Sequence, residues 1–182
     1  SPSLHNAHGY RAHITIHYRG VGGGPLNFKE GLMLLAEALA KRAEAQDRLS
    51  RVQERLVEGA LIQEGDTPPE DPAELLQEAA ALMQEIETLV RRINHTNAQT
   101  PFEGATLTDA IARRDATLRA KRLYQQVAEA GTVRGSRYSR SEVRFVPTVD
   151  VKALRTMADD AAKTYRELDT KIQQLNWSTE LI

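Results

Sequence analysis

The chain has 182 residues, no cysteine and a formal net charge of −1, with 27% charged and only 5% aromatic residues. These figures exclude a disulfide framework and a thiolate metal centre, and no apolar run approaches the roughly 20 residues that a membrane-crossing helix needs. A near-zero charge argues against a dedicated nucleic-acid domain, which is usually strongly basic, while abundant Ala, Leu, Glu and Arg favour helices packed through aliphatic side chains.

The net charge conceals a division. Residues 63–90 hold no Lys or Arg but contain Glu64, Asp66, Glu70, Asp71, Glu74, Glu78, Glu85 and Glu87. From Arg113 to Arg144 cations dominate instead. Such asymmetry marks faces that attract one another, within a fold or between subunits.

Residues 1–32 differ from the rest. They hold four of the five histidines and a glycine cluster. Arg11 to Tyr18 alternates as a short strand would, but His13 and His17 on it would lie about 13 Å apart, too far to share one ion. No metal and no cofactor is expected. Lys29-Glu30-Gly31 ahead of Leu32-Met33 can be encoded by a bacterial ribosome-binding sequence at the right distance from a start codon. We therefore read 1–32 as a leader or extension outside the core, and 33–182 as one helical domain. The N-terminal stretch lacks the apolar segment of an export signal, so a cytoplasmic location is expected.

Met33 to about Ile62 reads as a first helix, with Leu35, Leu39, Leu49, Val52 and Leu56 on one stripe and Arg42 and Gln46 at seam positions. The turn-rich GDTPPEDP follows. Asp71 then predicts an N-cap, with Pro72 at the first helical position and Glu74 completing a capping box. The second helix, Pro72 to about His95, steps by four and three through Leu75, Ala79, Leu82, Ile86, Leu89 and Ile93. Leu76, Met83 and Val90 widen the stripe. Asn94 and Asn97 read as C-terminal caps, and the short connector makes the helix antiparallel to the first.

QTPFEGATLTD predicts a loop, capped by Thr106 or Thr108, into a third helix ending near Ala130. Its stripe (Ile111, Leu118, Leu123, Val127) is broken by Asp115 and Arg122, expected as an interhelical charge contact. Asp150 caps a fourth helix, Val151 to about Asn176, whose stripe (Leu154, Ala158, Ala161, Tyr165, Leu168, Ile172, Leu175) is unbroken. Trp177 reads as a packing anchor at the rim. The expected fold is all-α: an antiparallel bundle of about four long helices.

Between the third and fourth helices lies GTVRGSRYSRSEVRFVPTVD, an Arg-rich stretch that no helix period fits. Gly131, Gly135 and Pro147 interrupt it. Ser141 to Val146 is expected as a short strand. Arg134, Arg137, Tyr138, Arg140 and Arg144 either bind an anion or dock between subunits.

At RINHTN, LTDAIARRD, RYSRSEVRFV, TVDV and NWSTEL the sequence resembles a small bacterial family, common in actinobacteria and often labelled septicolysin. The resemblance covers Met33 to Ile182 and implies a helical fold with no catalytic residues to carry over. The label suggests a pore-forming toxin. The stripes are narrow, however, and the opposite faces carry both signs of charge, which does not suit a lytic helix. No membrane partner is expected.

Functionally, the expectation is a structural or interaction protein: a homo-oligomeric, coiled-coil-like bundle. The alternative is an anion- or nucleic-acid-binding module that uses residues 134–144. An enzyme would have to assemble its site from scattered polar groups such as Asn94, Asn97, Asp109, Asp115 and Glu142. The sequence has no phosphate-binding glycine loop, no HExxH and no Cys/His nucleophile arrangement.

Overall fold

The structure, a computed structural model, describes residues 32–132 and 144–182. Among them are four long helices, α1 (Leu35–Glu58), α2 (Pro72–Gln99), α3 (Leu107–Ala130) and α4 (Val151–Asn176). A minimal hairpin, β1 (Pro101–Phe102) and β2 (Ala105–Thr106), joins α2 to α3. The all-α expectation holds.

Local chemistry sets most of the boundaries. Asp71 Oδ1 accepts from the Ala73 amide at 2.8 Å and Pro72 occupies the first helical position, as expected, but Glu74 does not reach back to close a box. Asp150 Oδ1 accepts from the Ala153 amide at 2.9 Å. Thr106 and Asp109 form a reciprocal capping box at the start of α3. Two helices depart from the reading above. α1 is shorter at both ends: Met33 and Leu34 are drawn into extended pairing with the C-terminal residues, and the connector residues 60–71 are exposed, leaving no burial to prolong the helix. α2 is longer, because Thr96 and Thr100 continue the buried stripe past Ile93. Thr100 Oγ1 donates to the Thr96 carbonyl at 2.7 Å, so neither Asn94 nor Asn97 caps the helix.

The loop after α2 turns through Glu103 (φ 45°) and Gly104 (φ 82°), two consecutive left-handed residues that let two-residue strands pair. Strands this short carry no alternation signal, which is why the sequence reads only as a loop.

The ion pairs report how the helices run. Arg48–Glu78 joins α1 to α2 and Arg55–Glu70 joins α1 to the residues just before α2, while Arg114–Asp169 joins α3 to α4 and an Arg155–Thr132 hydrogen bond joins α4 to the residues just after α3. In each case one residue number rises as the other falls, so both pairs are antiparallel. All four helices share a core at one end only. There Leu35 and Ala38, Leu89 and Ile93, Leu107 and Ala110, Leu168 and Ile172, with Phe102 and Leu181, form one cluster, the hub. A second cluster (Ala45, Val52, Leu75, Ala79, Leu82) belongs to α1 and α2 alone. Beyond the hub the helices therefore continue as two-helix arms.

The stripe expected on α4 faces inward along its whole length. That on α3 does not. Leu107, Ala110, Arg114, Thr117, Lys121, Tyr124 and Ala128 form the protected face, and Leu123 and Val127 are exposed. A seam containing Arg114 and Lys121 is invisible to a search for apolar residues, because long cationic side chains bury their stems and keep their heads wet. Arg114 reaches Asp169 on α4 at 2.9 Å and Asp115 at 3.4 Å, so Asp115 is engaged without Arg122. Trp177 is 61% exposed rather than buried as an anchor, whereas Leu181 packs into the hub. No helix among the described residues is long and apolar enough to cross a membrane.

Three stability measurements test this account. Leu107, fully buried at the hub, should lose about 2–5 kcal/mol as Leu107→Ala in urea titration, whereas Leu123→Ala should stay within about 0.5 kcal/mol of the parent. At Gly131 an added Cβ would lie 2.8 Å from Val149 Cγ2 and 3.1 Å from Val151 Cγ2, so Gly131→Ala should cost about 1–3 kcal/mol by overpacking. On the α1–α2 arm, the two-pronged hydrogen bond from Arg55 holds the Glu70 carboxyl below the usual carboxylate range. A depressed folded value stabilises above the unfolded pKa and is lost as pH falls through the folded one. Glu70→Gln should therefore lower the melting midpoint slightly at pH 7, and the difference should vanish in acid.

Candidate functional site

The strongest sequence candidates, Arg134, Arg137, Tyr138, Arg140 and Glu142, lie outside the described residues. Arg144 is described and exposed, followed by exposed Phe145 and Val146, and Arg144 to Pro147 form no strand. The remaining polar candidates are structural where their roles can be read. Asp109 serves in the α3 cap and Asp115 pairs with Arg114. Asn94 is exposed on α2, and Asn97 is half-buried with Oδ1 lacking a partner. Their contacts do not bring them together as an acid–base pair. Among the described residues no three His, Asp or Glu converge as metal ligands.

Two features that the sequence reading missed are built from tertiary contacts. The first is the seal on the hub. The Leu35 amide donates to the Thr179 carbonyl and the Leu181 amide to the Met33 carbonyl, each at 2.8 Å. Thr96, wholly buried, accepts from the Ile182 amide at 3.0 Å and donates to the Arg92 carbonyl at 2.8 Å. Arg92 Nε in turn donates to the Ile182 carbonyl at 3.2 Å. RINHTN, LTDAIARRD and NWSTEL, three of the stretches that carry the family resemblance, thus meet at the hub, where their observed role is packing and backbone satisfaction.

The second feature is an open cleft of about 370 Å³ where α3 and α4 approach the Arg-rich segment, lined by Gln125, Ala128, Glu129, Thr132, Arg155, Ala158 and Asp159. Arg155 Nη2 donates to Thr132 Oγ1 at 3.1 Å, and that hydroxyl donates to the Ala128 carbonyl at 2.8 Å. The lining contributes one cation, two carboxylates and the Thr132 hydroxyl, a balanced polar surface. Only the tertiary pairing of α3 with α4 creates it, since the contributing residues lie far apart in sequence.

Comparison with known proteins gives a family and a structural neighbour, both of unknown function. A model of a family of unknown function, DUF6847, matches residues 42–181. A crystal structure of a functionally unknown conserved protein from Corynebacterium diphtheriae is 51% identical, with a TM-score of 0.78, over 84% of this chain and 100% of that one. No curated protein matches. The actinobacterial resemblance is supported by that neighbour, but neither match carries the septicolysin name. With the family model spanning most of the chain, the protein belongs to the family of unknown function DUF6847.

Proposed function

We propose that this chain is a structural or interaction protein that acts in the cytoplasm as a homo-oligomer of helical arms. One observation carries the reading: beyond the hub, two helices alone must bury each seam. On the α1–α2 arm, Leu49, Leu56 and Ile86 are only half-buried, and Leu76 and Met83 are 59% and 54% exposed. On the other arm, Met157 beside the α4 stripe is 43% exposed. A seam at four-three spacing is normally enclosed by further helices, and a second copy supplies them at no cost in new sequence. Of the anion-binding alternative's residues only Arg144 is among those described, and no observation favours that reading over self-association.

Light scattering on the full chain across a concentration series should give a multiple of 20.3 kDa that persists in high salt, because an apolar contact is little screened. A mass of 20.3 kDa at every concentration would overturn the proposal.

A further inference from the structure

The two sides of the α1–α2 arm differ in kind. On one, Arg48 pairs with Glu78 at 3.3 Å and Arg55 with Glu70, so charge is neutralised across the helices. At 3.6 residues per turn, Gln46, Gln53 and Val57 of α1 project more than a quarter-turn from Arg48 and Arg55, as Leu76, Ala80 and Met83 of α2 do from Glu78. These six residues form the middle of the opposite flank; all six are exposed and none is charged. One turn nearer the hub the same row of α2 carries Glu87, whose charge is offset by Arg91 at 3.5 Å. Polar amides and apolar side chains at seam-like spacing form a surface suited to another helix pair and poorly suited to a charged ligand.

The ends of this flank are charged and of opposite sign. At the hub end stands Arg42, half-buried, its Nε enclosed without a hydrogen-bond partner. Beyond the far end, the α1–α2 connector carries exposed Glu64 and Asp66 with no cation between Gln63 and Asp71. The enclosed Nε cannot itself be reached from outside, but the half-buried guanidinium has further donors, and a carboxylate brought to those gains a charge-assisted hydrogen bond.

We infer that this flank is the self-association surface and that its occupant is the same flank of a second copy, lying antiparallel across a two-fold axis at mid-arm. The inference rests on the self-association proposed above and specifies its geometry. Antiparallel pairing sets uncharged residues against uncharged residues and carries the acidic connector of each copy to Arg42 of the other. A parallel arrangement would set Arg42 against Arg42 and acid against acid. Two-fold symmetry satisfies both ends with one surface and closes the assembly at two copies, with the two arms making a four-helix bundle.

The test uses the full chain, with helical content checked by circular dichroism and mass by light scattering. Leu76→Glu/Met83→Glu alters only exposed positions and should give monomer at concentrations where the parent is a dimer. Arg42→Glu should weaken the dimer by about tenfold or more, and adding Glu64→Arg/Asp66→Arg to it should restore much of the loss. Leu123→Glu, on the back of α3, should leave the mass unchanged. A folded Leu76→Glu/Met83→Glu variant that keeps the parental mass would overturn this flank while leaving self-association intact. A dissociated Leu123→Glu variant would move the interface to α3 and overturn the inference in the same way. Failure of the charge reversal to rescue Arg42→Glu would overturn the antiparallel arrangement. A parent that is monomeric throughout would overturn the proposed function itself.

Discussion

Residues 179–182 hold the architecture together by occupying a place that the helices cannot fill for themselves. The start of α1 leaves backbone amides without intrahelical partners, and the end of α4 leaves carbonyls. Pairing 33–35 with 179–181 satisfies the Leu35 amide through the Thr179 carbonyl, the amides of Trp177, Ser178 and Thr179 take up carbonyls at the end of α4, and Leu181 plugs the core beside them. Thr96 extends the seal to α2: its hydroxyl is buried, yet it is satisfied as both donor and acceptor. A buried hydroxyl without those partners would be a liability of about 1–3 kcal/mol. Removing the tail would therefore expose apolar surface and strand polar groups together.

With the hub closed in this way, the rest of each helix is freed from the constraint of a four-helix core. The α1–α2 arm uses aliphatic residues along its seam and ion pairs along one edge. The α3–α4 arm places Arg114, Thr117 and Lys121 in its seam and closes it far from the hub through small contacts at Ala128, Gly131 and Ala158. Two-helix contacts with so little apolar burial are weak by themselves. Burial from a second copy, as proposed above, would add to what each helix pair supplies by itself.

The legibility of each element followed its seam. α2 as far as Ile93 and α4 as far as Leu175 could be read almost residue by residue, since the seam positions there are largely apolar and the caps Asp71 and Asp150 are of the favoured type. α3 misled because its exposed side is more apolar than parts of its packed side: Leu123 and Val127 outweigh Arg114 and Lys121 in any hydropathy pattern. The polar candidates misled for a related reason. Asp109 and Asp115 have the chemistry of an active site, but short-range geometry commits them to a cap and an ion pair.

Sequence alone determined the number and order of the long helices, two of the caps, and the absence of a disulfide or thiolate chemistry. These depend on local periodicity, single side chains and composition. Tertiary structure alone decided where α1 and α2 stop, that the four helices share a core only at one end, and that the α3–α4 cleft exists. It also decided that one flank of the first arm is uncharged along its middle and open. Those properties arise from contacts between residues tens of positions apart, such as Thr96 with Ile182 or Arg114 with Asp169, whose energies are set by mutual distance and burial. No local pattern in the chain encodes that proximity.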